Sequence, residues 1–196
     1  MAYPLIARIL LAGLACAAAG APRAPPAGGG EGDQRVGSLR FTAIQAGAKF
    51  TGAFRRFEVR FEFDVKNPGQ GRLHVIVPTA SVDTADPERD QIIRSADFFW
   101  TEKYADAVFH AEGFEPDGRG FLARGELTLR GITRPATARF ELKQSGKRLA
   151  MKGTAQLRRL PFGIGQGEWE STEWIGDEVG VLFDLKLRPA PAAASP

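Results

Sequence analysis

The chain of 196 residues holds a single cysteine, two histidines, two methionines and two tyrosines. One cysteine, Cys16, cannot form an internal disulfide, and it excludes a multi-cysteine zinc or iron–sulfur site. With only His74 and His110 there is little from which to build a histidine-rich metal centre, and any Ser–His–carboxylate triad would have to use one of those two. Excess charge is also scarce. Against 26 Lys+Arg stand 23 Asp+Glu, a formal net charge of +3, far from the concentrated basic face that nucleic acid requires. What the chain does have is phenylalanine (14) and glycine (23), in a composition 43% hydrophobic and 25% charged, which suits one soluble globular domain.

The two ends read as separate from the fold. Arg8 precedes an apolar run over residues 9–19 that closes on Ala17, Ala18 and Ala19. That order of basic residue, apolar stretch and small-residue cleavage site predicts a cleaved secretory signal over residues 1–19. The run is too short for a membrane-spanning helix, which needs roughly 20 residues. Cys16 lies inside it; lipidation there is an alternative, but Gly13 stands where a lipidation signal places Leu. Residues 20–32 are rich in Pro and Gly and predict a flexible linker, residues 189–196 predict a disordered tail, and residues 33–188 are left as the folded domain.

Inside that domain the dominant period is two. In residues 57–64, Phe57, Val59, Phe61 and Phe63 alternate with Glu58, Arg60, Glu62 and Asp64. A strand with one dry and one wet face gives this pattern; a helix would scatter the rings around its circumference. The alternation returns in residues 121–130, 136–143, 149–158 and 179–188, and more weakly in 36–44, 72–81 and 107–114. Turn residues separate the runs at 67–69, 116–118, 131–135 and 145–147. The sequence thus predicts an all-β protein of about eight antiparallel strands, whose apolar faces must be buried in a sandwich or a closed barrel. One short helix is predicted over residues 87–96, opened by Pro87, with Asp90 and Arg94 paired on its surface. The aromatic stretch 97–104 lacks alternation and is expected to be a loop packed over the barrel.

The chemistry-bearing residues read as structural. His74 and His110 fall on wet strand faces. Asp83 and Asp86 could be paired carboxylates, but a helix-capping stretch accounts for them more simply. Gly163, Gly165 and Gly167 resemble a phosphate loop only superficially, having neither the Lys-Ser/Thr pair nor the βαβ context, and are expected to allow a sharp bend. The inner face mixes Phe with Gly52, Gly125, Gly153, Ala123, Ala136, Ala138 and Ala155. Small residues beside rings either leave a ligand cavity or let large meet small across a filled core, and periodicity alone leaves both open.

Several stretches resemble the YceI-like family of polyisoprenoid-binding periplasmic proteins. Residues 38–41 (SLRF) resemble its opening strand, and residues 52–57 (GAFRRF) its G-x-F-x-x-F stretch. Residues 80–109 resemble its most recognisable block: Ser-Val-Asp-Thr at 81–84, Arg89-Asp90, Phe98-Phe99, Lys103-Tyr104 and a final Phe109. Residues 125–135 (GELTLRGITRP) are similar to its G-x-L-T-L-x-G-x-T-x-P hairpin. The ending over residues 158–179 is similar to the subgroup found fused to, or beside, b-type cytochromes. Ala105 stands where the family usually has Pro.

The resemblance implies a lipocalin-like antiparallel eight-stranded barrel in the periplasm, enclosing an isoprenoid lipid such as a quinone or polyprenyl chain. Such a protein would bind, store or transport its lipid without covalent chemistry, and no catalytic, metal or cofactor residue is assigned. The candidate chain contacts are the inward apolar residues Ile44, Phe54, Phe57, Val59, Phe61, Val75, Val77, Phe109, Leu127, Leu129, Phe140, Met151, Phe162, Val181 and Phe183. The candidate mouth is Phe98, Phe99, Trp100, Tyr104, Trp169 and Trp174, since Trp and Tyr suit a boundary that is dry on one side and wet on the other. A second reading is a fully packed interaction module partnering a membrane b-type cytochrome, with peripheral membrane contact; a third is an enzyme acting on a lipid in the barrel, which the missing triad and metal set disfavour. Nucleic acid is not an expected partner.

Overall fold

In the computed structural model, residues 37–145 and 148–187 are described. The signal, linker and tail expected over residues 1–32 and 189–196 lie outside them. The elements are β1 (Gly37–Gln45), β2 (Ala48–Phe54), β3 (Glu58–Glu62), β4 (Arg72–Pro78), β5 (Val82–Asp83), α1 (Pro87–Arg94), β6 (Asp106–Asp117), β7 (Gly120–Leu129), β8 (Ile132–Ser145), β9 (Arg148–Arg158) and β10 (Glu178–Leu187). They form one sheet in the order β3-β4-β6-β7-β8-β9-β10-β1-β2-β5, with every neighbouring pair antiparallel. The all-β fold with one short helix is as expected. The sheet has ten strands, however, rather than eight.

The two additional strands have physical reasons for being hard to read. β2 turns back from β1 through Ala46 (φ 48) and Gly47 (φ 77), a two-residue turn with both central residues left-handed that lacks the usual Asn or Asp signal. Its inner positions are Phe50, Gly52 and Phe54, and Gly52 carries no side chain to complete the alternation. A Cβ there would lie 2.3 Å from the Phe41 ring, so glycine is what lets β1 and β2 pack. β5 is only two residues long and pairs with Ala53 and Phe54. Between β7 and β8 the turn is Arg130-Gly131, both left-handed (φ 53 and 72), so Pro135 lies within β8 opposite Glu126 rather than in the turn.

The sheet curls round on itself, with no ladder between its outer strands β3 and β5 among the described residues. Two chain segments cross the seam: residues 55–57, from β2 to β3, and residues 79–81, from β4 to β5. Arg55 N–H donates to Ser81 O at 2.9 Å, and Ser81 Oγ donates to Arg56 O at 3.1 Å. Crossing the seam twice covers strand edges that would otherwise be open to pairing with another chain. Outward positions carry exposed ion pairs, among them Arg139–Asp117 at 2.6 Å and Lys152–Asp184 at 2.8 Å, which contribute little stability each.

Helix α1 begins where Asp86 accepts hydrogen bonds from the Glu88 and Arg89 N–H groups, both at 3.1 Å. The capping account of Asp86 therefore holds. Asp90 differs from expectation: it is buried, and its carboxylate accepts from Thr84 N–H at 2.8 Å and Thr84 Oγ1 at 2.7 Å. Arg94 approaches it at 3.7 Å. Asp90 therefore ties the helix to Thr84, the residue that follows β5, instead of decorating a surface.

Candidate functional site

The inner face divides into a filled half and a hollow half. At the end away from α1, five rings meet: Phe61, Phe63, Phe114, Phe121 and Phe140. Their centroids lie 5.0–6.0 Å apart in seven pairs, edge-on, tilted or stacked. Ala111 and Ala123, both essentially inaccessible, give the rings room. A bulge makes this possible: Gly113, left-handed at φ 73, shifts the β6 register between Ala111 and Phe114 so that both face inward. Here the jigsaw reading is correct, and the rings form a plug.

Toward α1 the same barrel encloses a cavity of about 380 Å³, within the range of small-molecule sites. Every strand except β5 contributes a side chain to its wall. Its floor is Leu73, Ala138, Met151 and Leu185, which rest on the plug. Its roof comes from α1 (Ile92, Ile93), from Phe98 and Phe99, and from the segment that supplies Phe162, Ile164, Trp169 and Ile175. Gln45, Asp86, Glu88 and Arg89 mark the polar rim, between α1 and the β1–β2 turn. Arg89 spans that gap, donating from Nε to Gln45 Oε1 at 3.0 Å with its guanidinium 4.6 Å above the Phe50 ring.

Of the candidate chain contacts, Phe54, Phe57, Val59, Val75, Val77, Phe109, Leu127, Leu129, Met151, Phe162, Val181 and Phe183 line the cavity. Phe61 and Phe140 do not: they belong to the plug. Ile44 does not either. Leu39, Phe41 and Ala43 take the inward register of β1, which turns Ile44 outward, 39% exposed, beside Gly176. Of the candidate mouth residues, Phe98, Phe99 and Trp169 line the cavity. Trp100 and Tyr104 pair with each other at 5.8 Å and with the Lys103 ammonium instead. Trp174 is 64% exposed and does not line the cavity; its carbonyl accepts from Ala46 N–H at 2.7 Å. Phe41 and Phe50 were missed because the alternation around them is weak. Ile164 and Ile175 sit in irregular chain that no periodicity marks.

Two arginines hold the roof. Arg130 is buried, and donates to Phe98 O at 2.8 Å, Ala96 O at 2.6 Å and Gln166 Oε1 at 3.0 Å. Arg159, 4% exposed, donates to Ile164 O and Ile175 O, each at 2.8 Å, and to Gly176 O at 3.1 Å. Gly163, Gly165 and Gly167 are all left-handed there (φ 65, 80 and 62), as the sharp-bend reading expects. A Cβ on Gly165 would lie 2.2 Å from an Arg159 nitrogen. Burial pushes the Arg159 guanidinium down from its usual range, opposed by the charges of Asp177 and Glu170. Burial works against the Asp177 charge as well. The Leu160 N–H, the Arg158 side chain and the Arg159 charge outweigh it and hold that carboxyl below the usual carboxylate range.

His74 and His110 are cross-strand partners on the outer face, with rings 5.8 Å apart. Burial, then the neighbouring charges of His110 and Arg60, push the His74 imidazole below its ordinary 6.5. The unfolded chain therefore binds a proton more readily than the folded one as pH falls below that value. Stability contributed here is complete above about pH 6.5 and declines below it. His74→Gln is expected to flatten the fall of the urea midpoint between about pH 7.5 and about pH 5.5. An unchanged slope would assign the decline to another group. Among the described residues, no three His, Cys, Asp or Glu side chains are grouped so as to hold a metal ion.

Residues 32–187 match the profile of the YceI-like domain. The chain belongs to this family. Among its YceI-like relatives, protein YceI of Escherichia coli is 37% identical over 119 residues, 58% of this chain and 62% of the relative. The UPF0312 protein plu2095 of Photorhabdus laumondii is 40% identical over 96 residues, 49% of this chain and half of the relative. The matched stretches thus span less than two thirds of these relatives. In three dimensions, BcnA of Burkholderia cenocepacia aligns with a TM-score of 0.74 at 26% identity, covering 77% of this chain and 96% of BcnA. A polyisoprenoid binding domain from Saccharophagus degradans, implicated in plant cell wall breakdown, shares the fold, with a TM-score of 0.60 at 17% identity over 81% of this chain and 97% of that domain. The lipocalin-like barrel expected of a YceI-like chain is the fold observed.

Proposed function

We propose that this protein binds a single isoprenoid lipid, such as a quinone or a polyprenyl chain, and stores or transports it in the periplasm. The observation that carries this reading is the cavity of about 380 Å³ walled almost wholly by aliphatic and phenyl side chains. Binding is then hydrophobic transfer, about 0.8 kcal/mol per buried CH₂, and needs no acid, base or metal. The family supports a lipid-binding role, and the polyisoprenoid-binding neighbour gives a precedent for this ligand in this fold. The periplasmic location rests on the signal-like residues 1–19. The likeness to the cytochrome-associated subgroup makes a membrane b-type cytochrome the proposed recipient or donor. The exposed Trp174 offers such a partner an apolar contact at the rim side of the barrel.

Solvent extraction of the full-length protein purified from its natural host, followed by mass spectrometry, is expected to yield an isoprenoid lipid in about one-to-one proportion. Protein that is empty, and that also takes up no added quinone or prenyl alcohol, would overturn the reading.

A further inference from the structure

The carrier reading leaves the length of the chain open, and the geometry of the cavity bears on it. The cavity is closed at one end. Its floor residue Met151 is fully inaccessible to solvent, and Phe140 in the plug beneath it is 1% exposed. At the opposite end Gln45, Asp86, Glu88 and Arg89 cluster into a polar rim, while the other polar residues of the lining, Thr137, Arg158 and Arg159, are set apart from it in β8 and at the end of β9. An amphiphile therefore enters tail first from the α1 end, and its head stays beside Arg89.

The volume and the height of the cavity each give its depth in carbons. A dry cavity of about 150 Å³ lined by aliphatic and phenyl side chains takes one six-carbon benzene, so about 380 Å³ takes about fifteen carbons. Along β10, Val179 and Leu185 are the first and last inward residues on the wall. They span about 20 Å at about 3.3 Å per residue, which is about 15 Å along the axis for a strand tilt of about 40°. An extended chain advances about 3.8 Å per three bonds, so that depth holds about twelve main-chain bonds. A prenyl unit has four. Both routes arrive at three prenyl units.

We propose that the five-ring plug is a length stop, so that this protein selects a lipid tail of about three prenyl units and leaves the excess of any longer chain outside the barrel. The proposal rests on the carrier reading, and its test separates the two. Binding of all-trans prenyl alcohols of ten, fifteen, twenty and forty-five carbons (geraniol, farnesol, geranylgeraniol and solanesol) to the full-length protein is followed by quenching of tryptophan fluorescence. Affinity is expected to rise at least about a hundredfold from geraniol to farnesol, since the added unit is buried, and by less than about threefold from farnesol to geranylgeraniol. Phe61→Ala, which opens the plug, is expected to extend the gain to geranylgeraniol. Ala155→Leu is the companion should that variant fail to fold: its side chain projects into the cavity between Ala138 and Val181 and should move the break back to geraniol. A gain of about tenfold or more beyond farnesol in the unaltered protein, or a break left at farnesol in Ala155→Leu, overturns the length stop and leaves the carrier reading standing. No binding of any alcohol by protein that solvent extraction has shown to be empty overturns both.

Discussion

Arg159→Met is expected to lower the unfolding free energy by about 3–5 kcal/mol, the range for removing one member of a buried charged network. The guanidinium holds three carbonyls of the roof, Ile164, Ile175 and Gly176, at 2.8–3.1 Å. Methionine fills the space but leaves those buried oxygens without donors, and each unpaired group costs about 1–3 kcal/mol. Arg159→Lys should recover little, because one ammonium cannot reach carbonyls that a planar fork reaches from three nitrogens. The neighbouring Arg158 is the control. Its side chain is 71% exposed and pairs at 2.6 Å with Asp177, whose largely buried carboxylate keeps the Leu160 N–H, so Arg158→Met should cost about 1–2 kcal/mol, less than Arg159→Met. Urea unfolding of the three variants decides the matter. Equal losses at 158 and 159 would mean that the roof is held by packing and not by Arg159. Because Ile164 and Ile175 line the cavity, the 159 variants should also retain less lipid through purification.

The barrel was legible because its strands are long and alternate strictly. Residues 57–63 place four apolar side chains on one face, and the structure keeps all four inward. Legibility failed where the backbone, not the side-chain pattern, sets the geometry. The Ala46-Gly47 turn carries no Asn or Asp, so β2 went unread. Gly113 inserts a residue and reverses the parity that the earlier part of β6 establishes. Ile44 is apolar but one position out of phase with Phe41 and Ala43, and a strand has no tolerance for a one-residue slip.

The division between plug and cavity was illegible for another reason. Periodicity says which face a residue takes but not its height along the barrel axis, and height is what separates Phe140 from Phe109. The arginines of the roof were missed because a lone Arg in a strand or a turn ordinarily faces water. Only the ring of carbonyls contributed by the bend at residues 163–167 and by residues 175–176 makes Arg159 a buried residue.

The contrast between Phe140 and Phe109 follows from that difference in height. Phe140 is 1% exposed and meets Phe61, Phe114 and Phe121 with centroids 5.3–6.0 Å away. Truncating it removes a ring from a close-packed set and opens a void, so Phe140→Ala is expected to cost about 3–5 kcal/mol. Phe109 points into the barrel too, but part of its surface already faces the cavity. Its ring has fewer partner atoms to lose, and Phe109→Ala should cost about 1–2 kcal/mol. The order reverses for ligand. Phe109 faces the chain directly, so its truncation should weaken binding of a prenyl alcohol by about tenfold, the equivalent of about 1.4 kcal/mol of lost contact. Urea midpoints and alcohol titrations on the same two proteins measure both effects. Equal stability losses would mean that the hollow half is as tightly filled as the plug, and the space assigned to the lipid would not exist.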